Sequence, residues 1–165
     1  VVGIEPSCLL TFSDEYQKLK NIKNKDKIKN QFYLLEEFIL KEIKNDNKIK
    51  MNKFNQNVLI HGHCHQKSQD RMKGLKNLLS ELDIKNEMID SSCCGMAGSF
   101  GYDSKNYEVS KKMANLSLIP AINNSDEKDF IIANGTSCRH QISDLSKKKG
   151  KHVSELLFQI FETVN

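Results

Sequence analysis

Three short apolar runs in this chain each give way to cysteine within a few residues, and that arrangement restricts the fold more than any other feature of the sequence. Residues 57–62 lead into Cys64, residues 86–90 into Cys93 and Cys94, and residues 129–133 into Cys138. Runs of this length, rich in Val and Ile, suit strands buried on both faces. Between them, apolar residues recur at three- and four-residue steps, which is the period of a helix packed on one side. The expected fold class is therefore α/β, a mostly parallel sheet with flanking helices and cysteine-bearing loops at the strand C-terminal ends. In such a sheet those ends share one edge, so separated cysteines can meet there. The 28 residues between Cys64 and Cys93 and the 43 between Cys94 and Cys138 leave room for a crossover helix each time.

A fourth strand is expected at residues 1–5. Ile28, Phe32, Leu35, Ile39 and Ile43 predict a helix over 27–44. Met72, Leu75, Leu78, Leu79 and Leu82 mark a second helix, and Val109, Met113, Leu116 and Ile119 a third, which Pro120 interrupts. Val153, Leu156, Leu157, Ile160 and Phe161 mark a last one. Residues 44–57, rich in Lys, Asn and Asp, read as a surface loop. No hinge divides the chain, so residues 1–165 are expected to form one domain, beginning in mid-strand as an N-terminally truncated piece would.

The cysteines then acquire a chemistry. There are five, with two adjacent, and no signal-peptide pattern precedes them, so a secreted disulfide framework is disfavoured in favour of reduced thiols open to metal. Neighbouring Cys93 and Cys94 cannot readily bond to each other, but both can reach different irons of one cluster. Gly95, Gly98 and Gly101 follow; lacking side chains, they let backbone amides approach inorganic sulfide and adopt positive φ. Cys64, Cys93, Cys94 and Cys138 are the expected iron ligands, with hydrogen bonds to sulfur available from Ser92, Ser99 and Ser137.

The net charge of +4 comes largely from Lys in residues 18–53 and 147–151, with few aromatics interleaved, which describes a solvated basic face and no nucleic-acid module. Such a face also suits an acidic redox partner. No apolar run approaches the ~20 residues of a membrane helix. Residues 1–8 align without a gap with residues 131–138, a strand delivering a cysteine twice, and Ser13-Asp14 and Ser143-Asp144 repeat at the same offset.

The stretches 5–10, 61–67, 93–102 and 135–142 together resemble the cysteine-rich CCG domain of heterodisulfide reductase, of the iron–sulfur subunits of glycolate oxidase and anaerobic glycerol-3-phosphate dehydrogenase, and of the C-terminal part of FAD-linked 2-hydroxyacid dehydrogenases. The likeness is greatest to the last group. It implies two repeats per protein: residues 1–20 would end a first and residues 57–165 form a complete second. Cys8 would then be the last cysteine ligand of the first repeat. It further implies a [4Fe–4S] cluster passing electrons from FAD, bound elsewhere, toward a quinone or electron-carrier protein. The partner would be a flavin dehydrogenase domain or subunit, and the location cytoplasmic or at the inner face of the membrane. Relatives place a cysteine where Gly135 stands, so a five-cysteine non-cubane cluster is not expected.

Two other readings compete. A structural zinc module could draw on Cys64 with His61, His63 or His65. An enzyme that reduces disulfides could use a thiolate near His65 or His140. His65 and His140 are expected to be hydrogen-bonding neighbours of the cofactor, no residue of this chain is assigned a catalytic role, Arg139 offers a charge to the cluster or to solvent, and His152 has no expected site role.

Overall fold

The computed structural model describes residues 1–20, 23–29, 31–45 and 51–161. In chain order its elements are β1 (Val2–Gly3), α1 (Pro6–Thr11), α2 (Glu15–Lys18), α3 (Lys25–Lys29), β2 (Tyr33–Leu34), α4 (Leu35–Asn45), β3 (Val58–His61), α5 (Cys64–Ser68), α6 (Met72–Glu81), β4 (Asn86–Met88), α7 (Tyr107–Asn115), α8 (Leu118–Asn123), β5 (Phe130–Ala133), α9 (Thr136–Leu145) and α10 (Val153–Ile160). A 3-10 turn, Phe100–Tyr102, follows the double cysteine.

Among the described residues the five strands pair only in parallel, as the alternation of strands and helices requires. The main sheet has the order β4-β3-β5, with Val58 opposite both Asn86 and Phe130. Because side chains alternate across a strand, Val58, Ile60, Phe130 and Ile132 enter one core with α6 and α10. Leu59, Ile131 and Ala133 enter the other with α8 and Ile142 of α9. Burying β3 and β5 on both faces confines everything polar to the strand ends, where the cysteines are.

The first expected strand shortens to β1 and pairs with β2, outside the main sheet. That pairing corrects the helix expected over 27–44. The chain is helical in α3, extended at Tyr33–Leu34, and helical again from Leu35. Three contacts outweigh the helical period there: Leu34 is buried with Leu9 and Leu10, Phe32 stacks on Phe12 at 4.7 Å, and Leu34 N donates to Glu37 Oε2 at 3.0 Å. Pro120 does not interrupt a helix but lies in the first turn of α8, where its missing N–H costs nothing; the break precedes it, at Leu116 and Ser117. Of the expected loop over 44–57, residues 46–50 lie outside the described residues, and Met51 bridges to Phe161.

The geometry around β1 recurs around β5. Val2 pairs in parallel with Tyr33 as Ile132 does with Lys151, and α1 follows β1 as α9 follows β5. Before α4, Leu34 N is bound by the Glu37 carboxylate; before α10, His152 N is bound by Glu155 Oε1 at 2.8 Å. Among the described residues no helix is long and apolar enough to cross a membrane.

Candidate metal centre

Each cysteine of the expected quartet owes its place to a strand end. β3 closes at His61, and three residues later Cys64 opens α5, whose first turn is capped by His63, the ring accepting from His65 N at 3.3 Å. β4 hands over to the loop of Cys93 and Cys94. There Gly95 takes φ +90°, and a side chain at that position would run into the Ser110 carbonyl of α7. Only glycine fits, and the turn so made lets Gly95 N donate to Cys93 Sγ at 3.3 Å. Gly98 also has positive φ but faces open space, and Gly101 packs on Met96 and Ser110. β5 leads through Gly135 into α9, on which Cys138 sits in the first turn.

The four thiols converge. Cys64 and Cys93 are hydrogen-bonded to each other, as are Cys94 and Cys138, and the Cys138 thiol feels the charge of all three others. Burial, then the neighbouring Cys93, pushes Cys64 up to about 11. The hydrogen bond from Cys138 pulls the Cys94 thiol far down, against burial, with His61 helping; the same bond and burial push Cys138 up. Four thiols that oppose one another's ionisation cannot all lose their protons unaided. A cation that takes four thiolates relieves that conflict, so the donor set fits an iron–sulfur cluster. Cys94 and Cys138 are 2% and 1% exposed, Cys93 is half-buried and Cys64 is exposed, so the group has a dry end and a wet end.

The histidine at the dry end is His61. It is 1% exposed, its Nδ1 lies 2.8 Å from Ser91 Oγ, and its Nε2 is buried without a hydrogen-bond partner. His61, Cys94 and Cys138 present possible ligand atoms all within 4.8 Å of one another. His65 and His140 do not belong to that group. His65 Nε2 lies 3.6 Å from Glu15, and exposed His140 pairs through Nδ1 with Tyr102 Oη at 2.7 Å. Exposed Cys8, on α1, is likewise outside it. Arg139 is bound to the Ala133 and Asn134 carbonyls at 3.0 and 2.6 Å, bracing the end of β5. His152 caps α10 and its Nε2 lies 2.8 Å from the Ile4 carbonyl.

Two residues that no spacing pattern singled out hold the frame. Lys67, on the Cys64 helix, donates to the Ser91 and Ser92 carbonyls at 2.6 and 2.5 Å, clamping the strand end that carries the double cysteine. Glu5 Oε2 accepts from Thr136 N and Oγ1, both at 2.9 Å, at the start of α9. At Gly135, where a further cysteine was absent from the pattern, the space is filled: an added Cβ would meet the His63 ring and lie 3.3 Å from Cys138 Sγ.

An α/β domain whose parallel strands deliver four thiols to one edge, two of them adjacent ahead of a glycine, is a cysteine-rich domain with side chains that could hold a metal. Residues 58–143 match the family described as the CCG cysteine-rich domain, and the chain belongs to that family. Its relatives include a D-2-hydroxyglutarate dehydrogenase of Pseudomonas putida, 24% identical over 161 residues that cover 96% of this chain and 15% of that protein. One subunit of the anaerobic glycerol-3-phosphate dehydrogenase of Escherichia coli is 22% identical over 162 residues, 96% of this chain and 40% of that one. The chain therefore spans 15% of the length of one of these relatives and 40% of the other. No solved structure matches it.

Proposed function

We propose that Cys64, Cys93, Cys94 and Cys138 hold a [4Fe–4S] cluster and that the chain is the electron-transfer part of an FAD-linked oxidoreductase. The observation that carries this reading is the convergence of four thiols from three strand ends onto one buried-to-exposed group. When bound, the cluster supplies a one-electron store between flavin and acceptor. The protein's own part is to fix and shield it. Lys67 and the Gly95 turn hold the Cys93 loop, Met96 and the second core keep water from Cys94 and Cys138, and the Cys64–Cys93 edge faces the solvent from which a partner approaches. On this reading the electron source is a 2-hydroxyacid of the D-lactate, glycolate or 2-hydroxyglutarate kind, the last being the substrate class in one relative's name, with a flavin dehydrogenase domain or subunit as donor and a quinone or carrier protein as acceptor. We assign this work to the cytoplasm or the inner face of the membrane. The recurrence of the β5 geometry around β1 supports residues 57–165 as one repeat and the N-terminal residues as the end of another, extending past residue 20 to α4.

Iron and sulfide analysis of protein prepared without oxygen, with electron paramagnetic resonance of the reduced state, tests the reading. Single Cys→Ser changes at 64, 93, 94 and 138 are expected to abolish or alter the signal, and Cys8→Ser to leave it nearly unchanged. A wild-type spectrum from Cys93→Ser or Cys94→Ser sinks the assignment. The His61, Cys94 and Cys138 triplet favours one rival, a structural zinc ion, which stoichiometric zinc without iron in the same preparation would establish.

A further inference from the structure

Glu36 lies on α4, outside the residues matched to the family, and is 1% exposed. A carboxyl so deeply buried must be hydrogen-bonded. Its Oε1 accepts from Gln66 Nε2 at 2.7 Å and from Asn134 Nδ2 at 3.0 Å. The Asn134 amide can face only one way, because its Oδ1 accepts from Val153 N at 3.1 Å, leaving the NH2 for Glu36. Gln66 and Asn134 are buried too, at 1% and 2% exposure. Gln66 belongs to α5, which Cys64 begins, and Asn134 to the turn between β5 and the Cys138 helix. A single oxygen therefore joins two of the three thiol-bearing segments.

We propose that Glu36 is a positioning residue for the thiol group, setting the spacing of the Cys64 and Cys138 segments from outside the cysteine-rich span. The proposal rests on those thiols being the cluster's holders. Without the carboxyl, two buried amides lose their acceptor, and they recover one only by moving toward water, each taking its segment along. Lys67 still ties α5 to the double-cysteine loop, so the Cys64–Cys93 spacing survives while the Cys138 end loosens. The matched span, residues 58–143, thus depends on α4 for the geometry of its own site.

The test compares the full-length protein with E36L, E36Q and Q66L, prepared without oxygen. After iron removal, iodoacetamide alkylation of Cys138 is followed by mass spectrometry with exposed Cys8 as the reference. E36L is expected to raise the Cys138 rate relative to Cys8 about tenfold, as local opening does. E36Q, which keeps an acceptor, stays near wild type, and Q66L falls between. With iron bound, E36L is expected to shift the reduction potential and change the resonance line shape while far-ultraviolet circular dichroism is unchanged. Wild-type Cys138 rates and spectra in both E36L and Q66L would overturn the proposal. If E36L does not fold, Q66L and N134L decide by the same two readouts. Wild-type protein that never contains iron or sulfide removes the cluster reading alone, since the alkylation contrast needs no metal.

Discussion

At Gly95 two constraints act at once, a positive φ and a carbonyl where a side chain would begin. Gly95→Ala is therefore expected to cost at least about 2 kcal/mol, combining backbone strain with the displacement of α7. Thermal melts and iron content should fall together, whereas Gly98→Ala, with open space beside it, should lower stability by the smaller strain cost alone. Cys64 offers a second residue-level check. Although exposed, its thiol is pushed up to about 11 by partial burial and by Cys93, so in metal-free protein its alkylation should stay slow until the pH nears that value. A rate that saturates near pH 8 would contradict the Cys64–Cys93 pairing. The four ligand candidates were legible because cysteine after an apolar run is a rare and specific conjunction. His61 was visible only as one of three histidines around Cys64 and Lys67 only as the end of the stretch 61–67, and the partners that fix their roles are distant in sequence; Glu36 carried no local mark at all.

Among elements, the three strands of the main sheet and the helices α6 and α10 follow from periodicity because one continuous core decides each of them. The stretch before α4 does not, since its extended form is set by β1, more than two dozen residues away, and by the stack of Phe32 on Phe12. The acid on α4 also gives this element a pH signature. Burial raises the Glu36 carboxyl from its usual 4.5 to about 7, with adjacent Glu37 adding to the rise, Gln66 and Asn134 opposing it, and Arg71 facing the pair through its bond to Glu37. The folded state then holds a proton that the unfolded chain has released. That contribution to stability is complete below about pH 4.5 and is lost as pH climbs to about 7, above which it is flat. Urea unfolding of wild type and E36Q across pH 4.5–8 should find the two close at pH 4.5 and wild type losing stability relative to E36Q over that window. A constant difference would mean that Glu36 stays ionised throughout.

For the whole molecule the question is whether the fold needs its metal. Small zinc modules unfold without theirs because their ligands are most of their core. Here both faces of the sheet are filled by aliphatic side chains, Val58, Ile60, Leu75, Leu78, Ile132 and Leu156 on one side and Leu118, Ile119, Ile122 and Ile131 on the other. The three thiol-bearing segments are moreover tied by Lys67 and Glu36 without any sulfur. Iron removal should therefore leave far-ultraviolet circular dichroism and amide protection of β3 and β5 essentially intact. Faster exchange should be confined to the Cys93–Tyr102 loop and the first turn of α5, where mutual repulsion of thiolates returns and protons must be taken up. Because burial and the neighbouring thiols hold Cys64 and Cys138 up, the loss should grow with rising pH as they are pressed toward ionisation without a cation. Global loss of protection on iron removal at neutral pH would show instead that the cluster, and not the two aliphatic cores, holds the sheet together.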